Sequence, residues 1–347
     1  MVFPVFRALL ALSPALLLSS CYYLQAAGGQ LEVLRKREPI DRLLDDPNTP
    51  AALAARLGLI RDAREFSITQ LGLPDNGSYR SFAALDRDYV VWNVVAAPEF
   101  SVEARTWCFP VAGCVAYRGY FSEHRARARA AKLKAEGQDV FVGGVTAYST
   151  LGIFDDPVLS TMLGRDDTDL VALLFHELAH QRLYLPGDTA FSESFASAVE
   201  ELGVERWLSA RAGGDQWRRY RARKSLAGAL TGLALAARDD LAALYAGPLT
   251  PAEKRRAKAA RLEVLAAALT SRALAHGVEA RQARFVQSLN NARLAVWSAY
   301  ERHVPAFRRL FRDCGEDFRC FYASAAQLAQ LDAAERERRL AALAARS

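Results

Sequence analysis

Two histidines and a glutamate stand close together in the stretch His176-Glu177-Leu178-Ala179-His180. Residues four apart share one face of a helix, so the two imidazoles can bind a single metal ion. Glu177 lies about 100° around the helix from His176. Its carboxylate can therefore take a proton from a water at the open position of the metal, rather than bind the metal itself. This pattern arises by chance in roughly one chain in a hundred of this length, so its surroundings have to support the interpretation.

The residues before the motif predict a buried helix. Asp167, Thr168 and Asp169 provide an N-cap and first-turn acids, and residues 170–175 are all apolar. A helix that is apolar on nearly all sides lies in a protein core. Two histidines and a glutamate are costly to bury there without a partner. The alternative is an amphipathic helix whose histidines face solvent.

A catalytic zinc needs a third protein ligand, and the next helix offers two candidates. Asp188 predicts its N-cap, after the break at 185–187. Glu193 lies in the first turn among apolar and small residues, and it is the favoured ligand. Glu200 lies seven residues further, on roughly the same face, and is the alternative ligand. If Glu193 binds, we expect Glu200 to orient His176 or His180 through the free ring nitrogen.

These two segments resemble the gluzincin metallopeptidases. In the aminopeptidase branch of that group, a His-Glu-x-x-His-Gln motif is followed by an Asn-Glu-Gly-Phe-Ala segment that supplies the glutamate ligand. Here residues 176–181 match the motif and 192–196 the segment, with Ser192 and Ser194 in place of Asn and Gly. Only twelve residues separate His180 from Glu193, fewer than in that branch. The Gly-x-Met-Glu-Asn segment, which recognises a free amino terminus there, is not found.

Over nearly its full length the chain resembles a family of bacterial lipoproteins called putative aminopeptidases. The features that carry this resemblance are Cys21-Tyr22-Tyr23-Leu24-Gln25-Ala26, the stretch 142–163 and Asn290-Asn291-Ala292-Arg293-Leu294. The resemblance implies a zinc metallopeptidase of the cell envelope, with aminopeptidase activity.

The pattern of residues 1–20 predicts a lipoprotein signal peptide. Arg7 is its one charge, and the apolar stretch 8–18 is too short to cross a membrane. Leu18-Ser19-Ser20-Cys21 matches the bacterial lipobox, in which Cys21 is lipidated; the alternative is ordinary cleavage that leaves a spare cysteine. Tyr22 rather than Asp at the second mature position favours the outer membrane. We therefore expect a lipid anchor, and a location on the periplasmic face of the outer membrane.

Four further cysteines predict disulfide bonds in an exported chain. Cys108 and Cys114 are separated by five residues, and so are Cys314 and Cys320. Local pairing, Cys108 with Cys114 and Cys314 with Cys320, is the simplest of three connectivities. A second metal site built from these cysteines is the alternative.

The pattern of the whole chain predicts an α+β fold that is mainly helical. We expect a zincin-like metallopeptidase domain over 49–331, with a small mixed sheet in 49–165 and a helical part in 166–331. Residues 21–48 are expected to form a tether and entry segment, and 332–347 a charged helical tail. The net charge of +6 is modest, and the basic clusters fall on solvated helix faces. No nucleic-acid-binding motif accompanies them.

The strand predicted around 140–148 precedes the metal helix. Zincin folds present an edge strand from this position to an extended peptide, whose backbone then joins the sheet. Gly143 and Gly144 allow close backbone approach, and with Val145 they are the predicted substrate-binding residues. A buried strand with a glycine bulge is the alternative.

Further candidates lie on a helix predicted from Arg281 to about Arg312. Asn291, in a helix-disfavouring pair with Asn290, is expected to join a buried polar network near the site. Tyr300 is a candidate donor to the oxyanion of the tetrahedral intermediate, with a packed core tyrosine as the alternative. His303 is a further candidate for a catalytic role, with the same support as Tyr300.

The function predicted from these residues is a zinc-dependent metallopeptidase, an aminopeptidase by resemblance, with one Zn²⁺ per chain and peptide substrates. Two alternatives remain open. One is a non-catalytic envelope lipoprotein that keeps the fold, although structural zinc would not need Glu177. The other is a zinc hydrolase of non-peptide amides, which would use the same residues.

Overall fold

The computed structural model describes residues 13–109, 113–278, 286 and 288–346. Its helices are α1 (Ser13–Arg35), α2 (Ile40–Asp45), α3 (Ala51–Thr69), α4 (Glu123–Ala135), α5 (Asp167–Arg182), α6 (Thr189–Ser209), α7 (Gly214–Ala246), α8 (Pro251–Ala275), α9 (Asn291–Glu301), α10 (Val304–Asp313), α11 (Phe318–Gln330) and α12 (Ala333–Ala344). Its strands are β1 (Arg37–Pro39), β2 (Ser81–Ala83), β3 (Val91–Pro98), β4 (Trp107–Phe109), β5 (Gly113–Val115), β6 (Arg118–Tyr120), β7 (Gln138–Val145) and β8 (Val158–Leu159). The fold is α+β and mainly helical, as predicted.

The described strands form three small sheets, with orders β1-β2-β8, β6-β3-β7 and β4-β5. The longest ladder pairs β3 with β7 in antiparallel register, from Val91 opposite Val145 to Pro98 opposite Gln138. β7 is therefore an edge strand of its described sheet. The chain then passes through β8 and a short 3-10 helix, Ser160–Met162, before it enters α5.

The main hydrophobic core brings together α3, α5, α6, α10 and α11 around buried aromatic rings. Phe195 stacks on Phe321 with ring centroids 5.7 Å apart, and Phe307 contacts both of these rings. A second cluster joins α7, α8 and α9, and a third packs α4 against β3 and β7. The helices α5 and α6, which carry the predicted metal ligands, thus lie in the interior of the main core.

From Tyr22 onwards, the N-terminal segment is packed on the domain. Val33 and Ile40 lie in the main core, and β1 pairs with β2. The Tyr22 ring contacts Tyr120 at a centroid distance of 5.6 Å. Residues 22–48, expected as a tether and entry segment, therefore form part of the folded domain.

The C-terminal segment is also part of the folded domain. Leu340 of α12 is 1% exposed and belongs to the main core. Arg336 is buried and pairs with Asp188, with Nη2 2.9 Å from Oδ2. The helix predicted within 332–347 is present as α12, Ala333–Ala344, and it is docked rather than free.

One predicted helix is divided in two. Instead of running from Arg281 to Arg312, the chain forms α9 and α10; residues 279–285 and 287 lie outside the described part. Asn290 is the N-cap of α9, and its side chain accepts a hydrogen bond from the backbone N–H of Arg293. The Asn290-Asn291 pair therefore marks the start of a helix rather than its interior, and asparagine is a favoured residue at an N-cap.

Side-chain caps begin three further helices. Asp188 caps α6 as predicted, Ser122 caps α4, and Thr250 caps α8, where it forms a capping box with Glu253. The N-cap of α5 is Asp166, one residue before the predicted start, because its carboxylate accepts from the backbone of Asp169.

Both local disulfides are present, Cys108–Cys114 and Cys314–Cys320. The first closes the β4–β5 hairpin, in which the two cysteines lie opposite each other. The second connects the end of α10 to the start of α11.

Among the described helices, none combines the length and the apolar character needed to cross a membrane.

Candidate metal centre

The helices α5 and α6 pack closely at the centre of the site. The ring of Phe175 on α5 faces Gly203 on α6, where a Cβ atom would lie only 2.8 Å from the ring. A side chain at Gly203 would therefore push the two helices apart. This close approach brings Glu193 and Glu200 of α6 to the histidine face of α5.

His176, His180 and Glu193 form a group whose candidate ligand atoms all lie within 4.8 Å of one another. One carboxylate oxygen of Glu193 lies 3.3 Å from Nε2 of His176 and 3.6 Å from Nε2 of His180. Ligand atoms bound tetrahedrally at about 2.1 Å from a zinc ion would be about 3.4 Å apart. The two distances fit a shared metal ligand set better than a pair of short hydrogen bonds.

Glu200 occupies the other side of His176. Its Oε2 lies 3.1 Å from Nδ1 of that histidine, and its Oε1 accepts a hydrogen bond from the Tyr220 hydroxyl at 2.8 Å. The ammonium of Lys224 lies 3.5 Å from the same Oε1. Glu200 thus leaves Nε2 of His176 facing Glu193 and His180, the orientation that a metal ligand requires.

Tyr220 and Lys224 were not among the residues singled out from the sequence. They lie on α7, 20 and 24 positions beyond Glu200, and no local pattern connects the two helices. Their part in the site depends on how α7 packs over α6. The remaining buried ring nitrogen, Nδ1 of His180, has no hydrogen-bond partner within the described residues.

The electrostatics of the three carboxylates differ. Burial alone would raise the pKa of Glu193 and Glu200, but the histidines beside them lower both values, that of Glu200 to about 2 with help from Lys224 and Tyr220. Burial would lower the pKa of His176, yet the hydrogen bonds that its ring donates to the carboxylates of Glu193 and Glu200 raise this pKa to about 10. The two carboxylates therefore supply negative charge where a cation would bind.

Glu177 is the third carboxylate, and it is buried next to the cluster without belonging to it. Burial raises its pKa, and the nearby histidines oppose that rise only in part. A carboxyl group whose proton affinity is raised by burial is suited to accept a proton and return it. The predicted separation of roles between Glu177 and the three ligand candidates agrees with this placement.

Gln181, the residue after the motif, fixes the end of α5. Its amide donates to the Ser78 hydroxyl at 3.1 Å, and its carbonyl accepts from the Asn76 amide at 2.8 Å. Tyr79, which follows Ser78 in the chain, has a positive φ of 62° and a buried hydroxyl that lacks a partner among the described residues. Its pKa is raised well above the usual value by burial and by the charges of Glu177 and Asp156.

Two other tyrosines lie beside Glu193. The pKa values of Tyr117 and Tyr184 are raised by burial and, next, by the negative charge of Glu193. The Tyr184 ring also makes an edge contact with His180 at a centroid distance of 6.2 Å. The side chain of Tyr300, the candidate named from the sequence, lies outside the described part of the chain, as does that of Cys21.

Asn291 contributes to a polar network at a different place. Its amide donates to the backbone carbonyls of Pro98 and Glu99, and its oxygen accepts from the Tyr245 hydroxyl at 2.9 Å. Asn291 is buried as predicted, but these partners lie on β3, the loop after it and α7. The hydrogen bonds described for Asn291 do not include the metal candidates, and they secure α9 to the sheet.

The glycines of β7 have a local explanation. A Cβ atom at Gly144 would lie 2.3 Å from the Tyr89 ring, and one at Gly143 would lie 2.9 Å from the Phe141 ring. Rings of the chain itself therefore occupy the space that these glycines leave on the sheet faces. This packing concerns the faces of the sheet and not the strand edge at Gly143, Gly144 and Val145.

His303, also considered from the sequence, is buried away from the cluster. Its backbone N–H donates to the Ser194 hydroxyl at 3.1 Å, and its Nε2 lies 3.6 Å from Glu337. It links α10 to α6 and α12.

Comparison with known proteins adds one finding to this geometry. No curated protein and no solved structure matches the chain significantly. A family described as "Putative aminopeptidase" matches residues 21–340, a range that contains the whole metal cluster. The chain belongs to this putative aminopeptidase family.

Proposed function

We propose that this protein is a zinc-dependent metallopeptidase that acts as an aminopeptidase. The observation that carries the proposal is the buried cluster of His176, His180 and Glu193 with Glu177 beside it. Membership of the aminopeptidase family favours peptide hydrolysis over the hydrolysis of other amides. A buried general base favours an enzyme over a non-catalytic lipoprotein, since structural zinc has no use for one.

The donor set fits zinc. Two neutral imidazoles and one carboxylate are the ligands of many catalytic zinc sites, which leave a fourth position free. A carboxylate that holds the other nitrogen of a ligating histidine is usual around such sites, and Glu200 has that position. The resemblance to gluzincins, and with it a zincin-like domain, agrees with the assignment of Glu193 as third ligand.

Each group then has a defined task. A bound zinc ion would polarise the scissile carbonyl and lower the pKa of water. Glu177 accepts the proton of the attacking water on its carboxylate and delivers it to the departing amine nitrogen. Glu200 and Tyr220 keep His176 in the orientation in which Nε2 faces the metal position.

The edge strand β7 offers a place for the substrate backbone. An extended peptide that pairs with Gly143, Gly144 and Val145 would add a strand to the β6-β3-β7 sheet. We include this edge in the proposal as the peptide-binding element.

Hydrolysis of a peptide library, with products mapped by mass spectrometry, tests the activity. We expect loss of single residues from free amino termini, about one zinc per chain, and no cleavage of N-acetylated peptides. Glu177→Gln should retain zinc and lose hydrolysis, because an amide cannot accept the proton. Glu263→Gln, an exposed position on α8, is the matched control and should leave both unchanged. Full activity in Glu177→Gln would refute the mechanism, and cleavage only at internal bonds would refute the aminopeptidase assignment.

We also propose that Cys21 carries a lipid anchor in the bacterial envelope. The Leu18-Ser19-Ser20-Cys21 sequence supports this, as does a family match that begins at residue 21. Cys21→Ser should abolish incorporation of labelled palmitate and leave unprocessed precursor, whereas Cys320→Ser should still incorporate label. Label that persists in Cys21→Ser would exclude the anchor.

A further inference from the structure

The outward face of α1 is apolar from Tyr23 to Leu31. Tyr23, Leu24 and Leu31 are 48%, 69% and 44% exposed, and Ala27 and Gly28 between them are exposed as well. These five positions fall within an arc of about 140° around the helix. We call them the α1 apolar face.

This face is unusual for a helix in contact with water. Residues 22–31 contain no charged side chain, although helices on a protein surface normally carry charges on the outward side. The basic helix α4 shows the ordinary pattern, with exposed Arg125, Arg127 and Lys132. Single exposed leucines need no explanation, but a continuous apolar stripe marks a surface that binds something.

From Tyr22 onwards, α1 is packed against the sheet. Tyr22 packs on Tyr120, and the Arg118 guanidinium lies 3.9 Å from the centre of the Tyr22 ring. The Gln25 side chain accepts from the backbone N–H of Phe121 at 3.1 Å. The first residue with a described side chain is thus already part of the domain.

The packing of Tyr22 on the domain determines what can lie next to the α1 apolar face. Cys21 directly precedes the packed Tyr22, so no flexible tether separates an acyl chain on Cys21 from the domain. A rise of about 1.5 Å per residue places Leu24 within about 5 Å of Cys21 along the helix axis. A bilayer that holds the acyl chain must therefore also lie close to Leu24.

The far end of the helix has the charges that suit an anionic lipid surface. Arg35 and Arg37 are exposed, and neither forms an ion pair within the described residues. Arg37 donates to the carbonyl of Asp155 at 3.0 Å, beside the exposed Ile153 and Phe154 of the same loop. Apolar side chains flanked by cations favour the interface of a membrane with anionic headgroups.

We propose that the α1 apolar face lies on the surface of an anionic phospholipid bilayer, with Tyr23, Leu24 and Leu31 inserted among the headgroups. The inference rests on the proposed lipidation of Cys21 and goes beyond it, because it assigns the orientation of the domain. The occupant is lipid rather than a second copy of the chain.

Lipidated full-length protein, reconstituted into phosphatidylethanolamine–phosphatidylglycerol vesicles, provides the test. A small fluorescent amino acid is introduced in place of Leu24 or Leu31, and quenching by brominated lipids is measured. Val264 and Leu274 on α8, which are 57% and 49% exposed, are the matched control positions. Mass spectrometry of each sample first establishes that Cys21 carries its lipid, so that failure of the anchor is recognised separately.

We expect strong quenching at Leu24 and Leu31, and little at either control. In unlipidated protein made without residues 1–20 and with Cys21→Ser, the pair Leu24→Gln and Leu31→Gln should weaken vesicle binding by roughly tenfold or more, and Val264→Gln with Leu274→Gln should not. Equal quenching at all four positions of lipidated protein would overturn the proposal. So would a dimer in detergent that Leu24→Gln dissociates, because a second copy would then cover the face.

Discussion

Replacement of Glu200 by glutamine removes the charge behind His176 and keeps the shape of the side chain. Glu200 lies 3.1 Å from Nδ1 of His176 and accepts from Tyr220 at 2.8 Å. Loss of a carboxylate partner of this kind typically weakens metal affinity by about 10–100-fold, equivalent to about 1.4–2.7 kcal/mol. Glu200→Gln should therefore still bind stoichiometric zinc at micromolar metal, with an affinity reduced by that factor. Glu193→Gln should weaken binding further, because it removes a charged ligand.

Competition against a chromophoric chelator measures these affinities. Glu201→Gln is the matched control, since Glu201 pairs with Lys224 and Arg308 rather than with a histidine. Tyr220→Phe should have a smaller effect than Glu200→Gln, because the carboxylate remains and only one hydrogen bond to it is lost. The zinc affinity of Tyr220→Phe should stay within about tenfold of that of the unsubstituted protein.

The reverse order would refute the assignment. Zinc lost in Glu200→Gln and kept in Glu193→Gln would identify Glu200 as the metal ligand. An unchanged zinc affinity in Glu200→Gln would show that the contact with His176 does not orient the ring.

Two further predictions concern the stability of the protein. In the metal-free protein, the lowered pKa of Glu200 contributes stability above its ordinary value of 4.5 that is lost as the pH falls towards about 2. The raised pKa of His176 contributes stability below 6.5 that is lost as the pH rises through about 10. The free energy of unfolding, measured with urea in the presence of a chelator, should therefore be higher between pH 4.5 and 6.5 than near pH 2 or pH 10. If Glu200→Gln lost stability at low pH to the same extent as the unsubstituted protein, this reasoning would be contradicted. Leu340→Ala should lower the free energy of unfolding by about 2–5 kcal/mol, whereas Leu274→Ala, at an exposed position, should change it by less than about 0.5 kcal/mol; equal effects would show that α12 is not docked.

The cluster of candidate ligands could be predicted from the sequence because helical periodicity is local. The spacing of His176 and His180 places both rings on one side of α5, and Asp188 marks the start of the helix that carries Glu193. The seven-residue interval to Glu200 keeps it on the same side as Glu193. Only the packing of α5 on α6 had to be assumed.

Other parts of the molecule depend on distant contacts that leave little local pattern. Tyr220 reaches Glu200 through the packing of α7, and Tyr22 finds its partner about a hundred residues away at Tyr120. The parallel pairing of β2 with β8 involves Phe82 and Ala83 only, too short a run to recognise. The start of α9 had a readable signal, since Asn290 is a good N-cap, but the asparagine pair was predicted to lie inside one longer helix.

The contact between Arg336 and Asp188 makes the start of α6 depend on a helix 148 positions further along the chain. Asp188 caps the helix that presents Glu193, so Arg336 of α12 steadies that cap. All three candidate ligands precede α12 in the sequence, yet a fragment that stopped before α12 would lack this support for Glu193. Because synthesis proceeds from the amino terminus, the site would reach its full stability only after α12 has been made.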